Sequence, residues 1–205
     1  MSKYQLKDSD IYYAGTDVPV NKLDIKDGVE LHELENELLD EAYETFISEL
    51  DKQTQFDEAY FQSLHRRTFE SLFAWAGEYR NFDMAKGGSR FCRGEFVMPE
   101  SKKIFAKLES ENFLKSCDDM PKEEFARKLA YYKCELIALH PFYEINGRIT
   151  RLFFDMIAVY NGYEPIDYSN YSPEEYIDAS IVCVQQADES ALCEMIEKGL
   201  KKAAS

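Results

Sequence analysis

Residues 136–157, LIALHPFYEINGRITRLFFDMI, decide how this chain folds. Ahead of them, Phe125, Leu129, Tyr132, Leu136 and Leu139 recur at spacings of three and four, which marks one buried face of a helix. Pro141 disfavours helical geometry at His140, so this helix ends there and His140 stands at the mouth of a loop. A second helix is expected from about Arg148, with Ile149, Leu152, Phe153, Met156 and Ile157 as its buried stripe. Arg148, Arg151 and Asp155 fall on another stripe of the same helix. Loop 140–147 therefore feeds a His, an acid and the tight turn Asn146-Gly147 into the N-terminus of a buried helix.

That grouping has a chemical sense. Unpaired amides at a helix N-terminus attract anions, and two Arg residues on one face strengthen the attraction. Glu144 conflicts with an anion unless a divalent cation bridges them, and Mg²⁺ between one carboxylate and phosphate oxygens removes the conflict. His140 supplies a base near neutral pH. The set asks for a metal-bound polyphosphate beside a general base. Each residue taken alone also has a plain structural explanation: a His at a helix end, an Asn-Gly turn, Arg residues paired on an acidic protein. The residue pattern leaves both open.

Outward from this centre, the chain reads as all-α with one hairpin. Residues 1–28 have little periodicity and are expected to form an irregular arm; residues 29–205 are expected to form a single helical domain. Helical patterns run from Val29, over 56–76 with Gly77 as the stop, and over about 99–115, 121–139, 148–161, 173–186 and 189–203. Pro99, Pro121 and Pro173 are each placed to open a helix. Between them, EYRNFDMAKGGSRFCRGEFVM (78–98) carries Gly87-Gly88 between aromatic-containing runs and is predicted to be a hairpin spanning about 80–97. His65-Arg66-Arg67 reads as a solvated basic face, His32 as a surface residue and Trp75 as core.

The 205 residues carry 39 acids against 24 bases, a net charge of −15. So acidic a surface repels nucleic-acid phosphates and anionic lipid, so neither nucleic acid nor membrane is an expected partner. The five Cys, at 92, 117, 134, 183 and 193, form no CxxC pair and suit reduced thiols. MSKYQLKDSD at the start is polar, and no apolar run is long enough to span a bilayer. A cytoplasmic protein is expected, with signal-independent delivery to another cell left open.

HPFYEINGRITR (140–151) resembles the signature of the Fic family, HPFx[DE]GNGRxxR, and departs from it at one specified position, Ile145, where the family has Gly. The resemblance extends to YAGTDVPVNKLDIKDGVELHELENEL (13–38), LHRRTFESLFAWAGEYRN (64–81) and MAKGGSRFCRGEF (84–96), and so covers most of the chain. It implies a Fic-type helical bundle with a hairpin flap, and transfer of AMP from ATP to a Ser, Thr or Tyr hydroxyl of a target protein. By resemblance His140 is the catalytic base, Phe142 anchors the loop and Glu144 carries Mg²⁺. Asn146 and the amides of Gly147 and Arg148 hold phosphate oxygens, and Arg148 and Arg151 steady the departing phosphates. Flap residues Lys86, Gly87, Gly88, Ser89, Arg90 and Phe91 pin the target segment by strand-like pairing. A kinase branch of the family replaces the second Gly with Lys; this chain keeps Gly147, which favours AMP transfer. A β-branched Ile145 is expected to be strained or to take another geometry, which keeps open a non-catalytic binding domain or a different transferred group. Many relatives carry an inhibitory [ST]xxxE[GN] helix. Ser190-Ala-Leu-Cys-Glu194-Met195 fits it in part, and Glu194 reads as a solvated residue. Inhibition would then come from a separate antitoxin chain supplying a Glu to Arg151.

Overall fold

A computed structural model describes residues 11–115 and 120–203; residues 1–10 of the expected arm, and Cys117, lie outside them. Among the described residues are seven helices: α1 Gly28–Glu49, α2 Glu58–Phe69, α3 Gly94–Ser110, α4 Lys122–Leu139, α5 Asn146–Tyr160, α6 Pro173–Gln186 and α7 Ser190–Gly199. A two-stranded antiparallel hairpin, β1 Ala85–Lys86 and β2 Ser89–Arg90, lies between α2 and α3. Gly87 and Gly88 both take positive φ, +55° and +82°, the turn geometry that a two-residue hairpin needs. The all-α class with one hairpin is as the sequence implies.

α5 is the axis of the molecule. It buries not a stripe but nearly its whole circumference, with every residue from Leu152 to Ala158 inside. A helix apolar on all sides must be enclosed, and α1, α2 and α4 pack around it. α4 forms the second layer, touching α3, α6 and α7 on its other sides. Between the layers the rings of Phe61, Phe105, Phe142 and Phe153 meet at tilted or edge-to-face angles, with Phe61 5.2 Å from both Phe142 and Phe153. These are the angles that ring quadrupoles favour. Phe142 is fully buried here and fastens the loop after α4 to the core.

Several boundaries differ from expectation: the hairpin expected over about 80–97 pairs only from Ala85 to Arg90, α7 ends at Gly199 rather than 203, and α2 and α3 shift most. α2 stops at Phe69 rather than running to Ala76. Apolar spacing continues through Leu72, Phe73 and Ala76, but the chain turns repeatedly, so that Phe73 stacks on Trp75 at 4.4 Å and the Gly77 amide reaches His65. α3 starts at Gly94, leaving Pro99 inside the helix rather than at its first turn. A Cβ at Gly94 would lie 2.4 Å from the Asn81 carbonyl carbon, so only Gly allows this start, and its amide is held by Asp83 Oδ1 at 2.9 Å. Pro99 lies on the solvent-facing side of α3.

The end of α4 is tied to the flap by one side chain. Arg80 is 2% exposed. Its Nε donates to the His140 carbonyl at 2.7 Å, and its Nη2 to Leu139 at 3.0 Å and Cys92 at 2.6 Å. Its Nη1 donates to Phe82 at 2.5 Å, and its backbone amide to Pro141 at 2.8 Å. Removing the guanidinium strands several buried carbonyls, each costing about 1–3 kcal/mol before relaxation. Arg80→Ala should lower unfolding free energy by on the order of 3–5 kcal/mol in urea titration.

Candidate active site

The loop between α4 and α5 is shaped by its own hydrogen bonds and by a buried side chain beneath it. His140 closes α4 in the left-handed region, φ 47° and ψ 59°, with its amide on the Leu136 carbonyl at 3.0 Å. The Asn146 side chain then spans the loop: its Oδ1 accepts the Phe142 amide at 2.7 Å and its Nδ2 donates to the Phe142 carbonyl at 2.8 Å. His65, expected on a solvated face, is instead fully buried. Its Nδ1 accepts the Gly77 amide at 3.1 Å, so the proton sits on Nε2, which donates to the Glu144 carbonyl at 3.2 Å. The ring packs on Phe142 at 4.2 Å. Burial pushes the imidazole from the ordinary 6.5 down to about 4. The spacing Phe61–His65–Phe69 put His65 on the apolar side of α2. Arg67 does lie on the surface, paired with both oxygens of Glu49.

Above the loop lies a cavity of about 340 Å³. Its floor is His140, Glu144, Ile145, Asn146, Gly147 and Arg148. The flap borders it through Lys86, Gly87, Ser89 and Phe91, while Gly88 and Arg90 do not line it. The far wall was not read from the sequence: Tyr176, Ile177, Ser180, Ile181 and Val184 of α6, with Ile137 of α4. Its signal was present as an apolar stripe at spacings of three and four that leaves Ile177 55% exposed. Gln185 Nε2 donates to Ser89 Oγ at 3.1 Å and ties this wall to the flap. Phe91 stacks on His140, ring centroids 3.7 Å apart and 11° from parallel, so the flap sets the plane of the imidazole. α5 has no side-chain cap hydrogen bond, and its first residues, Asn146, Gly147 and Arg148, line the cavity. Nothing stands within 4 Å of where a Gly147 Cβ would be.

A family model described as Fic/DOC family matches residues 55–158. The chain belongs to the Fic/DOC family. It is 33% identical over 181 residues to the probable protein adenylyltransferase y4lH of Sinorhizobium fredii, covering 88% of this chain and 91% of that one. It is 30% identical to the probable protein adenylyltransferase Fic of Escherichia coli over 74% of this chain and 73% of the relative. Among solved structures, the BepC protein of Bartonella tribocorum with bound AMPPNP superposes with a TM-score of 0.82 at 26% identity, over 95% of this chain and 97% of that one. An N-terminal Fic domain from Bartonella quintana with bound ADP gives 0.80 at 25% identity, over 94% and 95%.

Within this Fic/DOC chain, Ile145 holds the left-handed backbone that a Gly adopts freely, at φ 65° and ψ 11°. That costs a β-branched residue about 1–2 kcal/mol. The side chain is 5% exposed and joins the core, and burying it is worth about 1.5–3 kcal/mol, enough to offset the strain. The loop thus places a left-handed residue directly ahead of α5 without a Gly. Glu144 is 2% exposed and its Oε1 accepts the Tyr12 hydroxyl, which brings the N-terminal arm to the site. Arg148 is held by Glu35 and Asn36 of α1. Arg151 does not line the cavity. Its guanidinium lies 4.7 and 4.9 Å from the ring centres of Tyr168 and Tyr176, the second of which belongs to the cavity wall.

Two outcomes follow from these placements. His65 has its pKa depressed in the fold, so its contribution is complete above pH 6.5 and is lost as pH falls from 6.5 toward about 4. Stability should drop by about 3 kcal/mol across that window, and His65→Phe should flatten the slope in pH-dependent denaturation. Gly147→Ala should leave the melting temperature unchanged or slightly raised, since its methyl meets no protein atom. It should weaken nucleotide binding in calorimetry by about 10- to 100-fold, because the methyl enters the space above the α5 amides.

Proposed function

We propose that this chain transfers AMP from Mg²⁺-bound ATP to a Ser, Thr or Tyr hydroxyl of a target protein. The observation that carries this is His140 held flat under Phe91, between the flap and the uncapped N-terminus of α5. The relatives named protein adenylyltransferases support it. Phosphates would seat on the amides of Gly147 and Arg148 beside the Asn146-fastened loop, with Arg148 beside the outer phosphates. Adenine would lie against the apolar wall of α6 and Ile137. Arg151, reached from beside Tyr176, would steady the pyrophosphate end.

His140 would take the proton of the target hydroxyl, and the hydroxyl oxygen would bond to the α-phosphorus. The bond from that phosphorus to the bridging oxygen would break, and pyrophosphate would leave. A placed base is worth roughly 10²- to 10⁴-fold, and the remaining acceleration comes from positioning and charge neutralisation. Among the described residues no three acids, His or Cys gather to hold a metal by themselves. Among the described residues Glu144 is the one acid lining the cavity, which fits Mg²⁺ held by a single carboxylate with phosphate oxygens and water completing its shell. When bound, Mg²⁺ would neutralise phosphate charge. The flap at Lys86 to Phe91 would pin the target segment and aim its hydroxyl.

Cys92, Cys134, Cys183 and Cys193 are free thiols, which favours a reducing compartment. We place the activity in the cytoplasm, of this cell or of one that receives the chain. No helix among the described residues is long and apolar enough to cross a membrane. Glu194 lies on the surface paired with Lys198, so an inhibitory Glu for Arg151 would come from a separate antitoxin chain.

Cell lysate is incubated with Mg²⁺ and ATP labelled on the α-phosphate, with the wild-type chain or His140→Ala. A labelled protein band should appear with the wild type and fall at least about 100-fold with the variant, whose melting temperature stays unchanged. A parallel reaction with ATP labelled on the γ-phosphate that alone gives a band would make the chain a kinase. No band with any nucleoside triphosphate would sink the proposal.

A further inference from the structure

Arg148 lines the cavity, yet its guanidinium is held by α1, more than a hundred residues earlier in the chain. Glu35 Oε2 accepts from Nη2 at 2.6 Å, and Asn36 Oδ1 accepts from Nη1 at 3.3 Å. Glu35 stands on the buried face of α1 with Leu31, Ala42 and Phe46. A carboxylate is found on such a face only when paired. Its side chain is 8% exposed, against 25% for Arg148. Exposed His32 sits on the outer side of the same carboxylate, 3.7 Å from Oε2.

We propose that Glu35 is a positioning residue that aims Arg148 at the β- and γ-phosphates of the nucleotide. The proposal rests on the AMP-transfer reading above. A free Arg samples many rotamers, and a ligand would have to order it on binding. Here the α1 pair has ordered it beforehand. Guanidinium carries five N–H groups, of which Glu35 and Asn36 engage one on each terminal nitrogen. The others remain for phosphate oxygens.

A carboxylate beside a phosphate site could instead compete with the phosphates. Placement decides between the two effects: Arg148 lines the cavity and Glu35 does not. With Arg148 at the cavity and the carboxylate behind it off the lining, orientation is expected to outweigh repulsion. The single-oxygen contact points the same way, since a bidentate grip would consume the fork that phosphate needs.

Calorimetry of the full chain with Mg²⁺ would compare AMPPNP with AMP. Glu35→Ala should weaken AMPPNP about 10- to 100-fold and spare AMP, which has no outer phosphates. Glu35→Gln, whose carbonyl can still accept from Nη2, should recover most of the loss. Should Glu35→Ala fail to fold, Asn36→Ala should show a smaller loss with the same dependence on phosphate number. Unchanged or tighter AMPPNP binding would overturn the proposal, as would equal losses for both nucleotides, which would mark Glu35 as a strut. A wild-type chain that binds neither nucleotide would overturn the nucleotide site itself and the proposal with it.

Discussion

The Arg80 guanidinium, sunk beneath the end of α4, sets the position of everything above it. It binds carbonyls from the last turn of α4 and from both sides of the flap base. A buried helix C-terminus leaves carbonyls without partners and concentrates negative partial charge, and a cation is the natural answer to both. Because one rigid planar group satisfies Leu139, His140, Phe82 and Cys92 together, the flap cannot shift far from His140 without losing several hydrogen bonds at once. The stacking of Phe91 on the imidazole is a consequence of that shared anchor.

Around this anchor the motif residues divide their work. Asn146 and Phe142 close the loop, the first by hydrogen bonds and the second by packing. His65 holds the Glu144 carbonyl from below and is kept neutral by burial. This leaves the α5 amides, Gly147 and Arg148 at the cavity. Ile145 shows how a local rule is broken and compensated: its backbone strain is about as large as the free energy of burying its side chain. A polar residue there would keep the strain without that compensation.

Behind the site lies a second polar cluster that joins α6 to the core. Lys133 is fully buried and donates to the Tyr168 hydroxyl at 2.7 Å, with the Tyr176 ring 5.4 Å away. Arg151 approaches the same two rings. Asp155, one turn further along α5, accepts the Tyr43 hydroxyl at 2.7 Å and the Ile166 amide at 3.0 Å, and burial raises its pKa. The cations, rings and carboxylate fix the loop leading into α6 against α5. Since Tyr176 belongs both to this cluster and to the cavity wall, core packing and cavity shape are linked.

Much of this was legible in residue order. Pro141 stops α4 at His140, Pro173 opens α6, and Gly87-Gly88 turns the hairpin. The stripe from Ile149 to Ile157 placed α5 in the core, and the motif placed His140 and Arg148 at one cavity. These features depend on interactions within a turn or two of the chain, so local order suffices to express them. The early end of α2, the start of α3 at Gly94, the α6 wall, the burial of His65 and the grips of Arg80 and Glu35 were decided by packing. A hydrogen bond such as that from Arg148 to Glu35 joins residues far apart in the chain, and nothing in their separation specifies it. Only the fold brings the two groups together and excludes the water that would otherwise take the place of either partner.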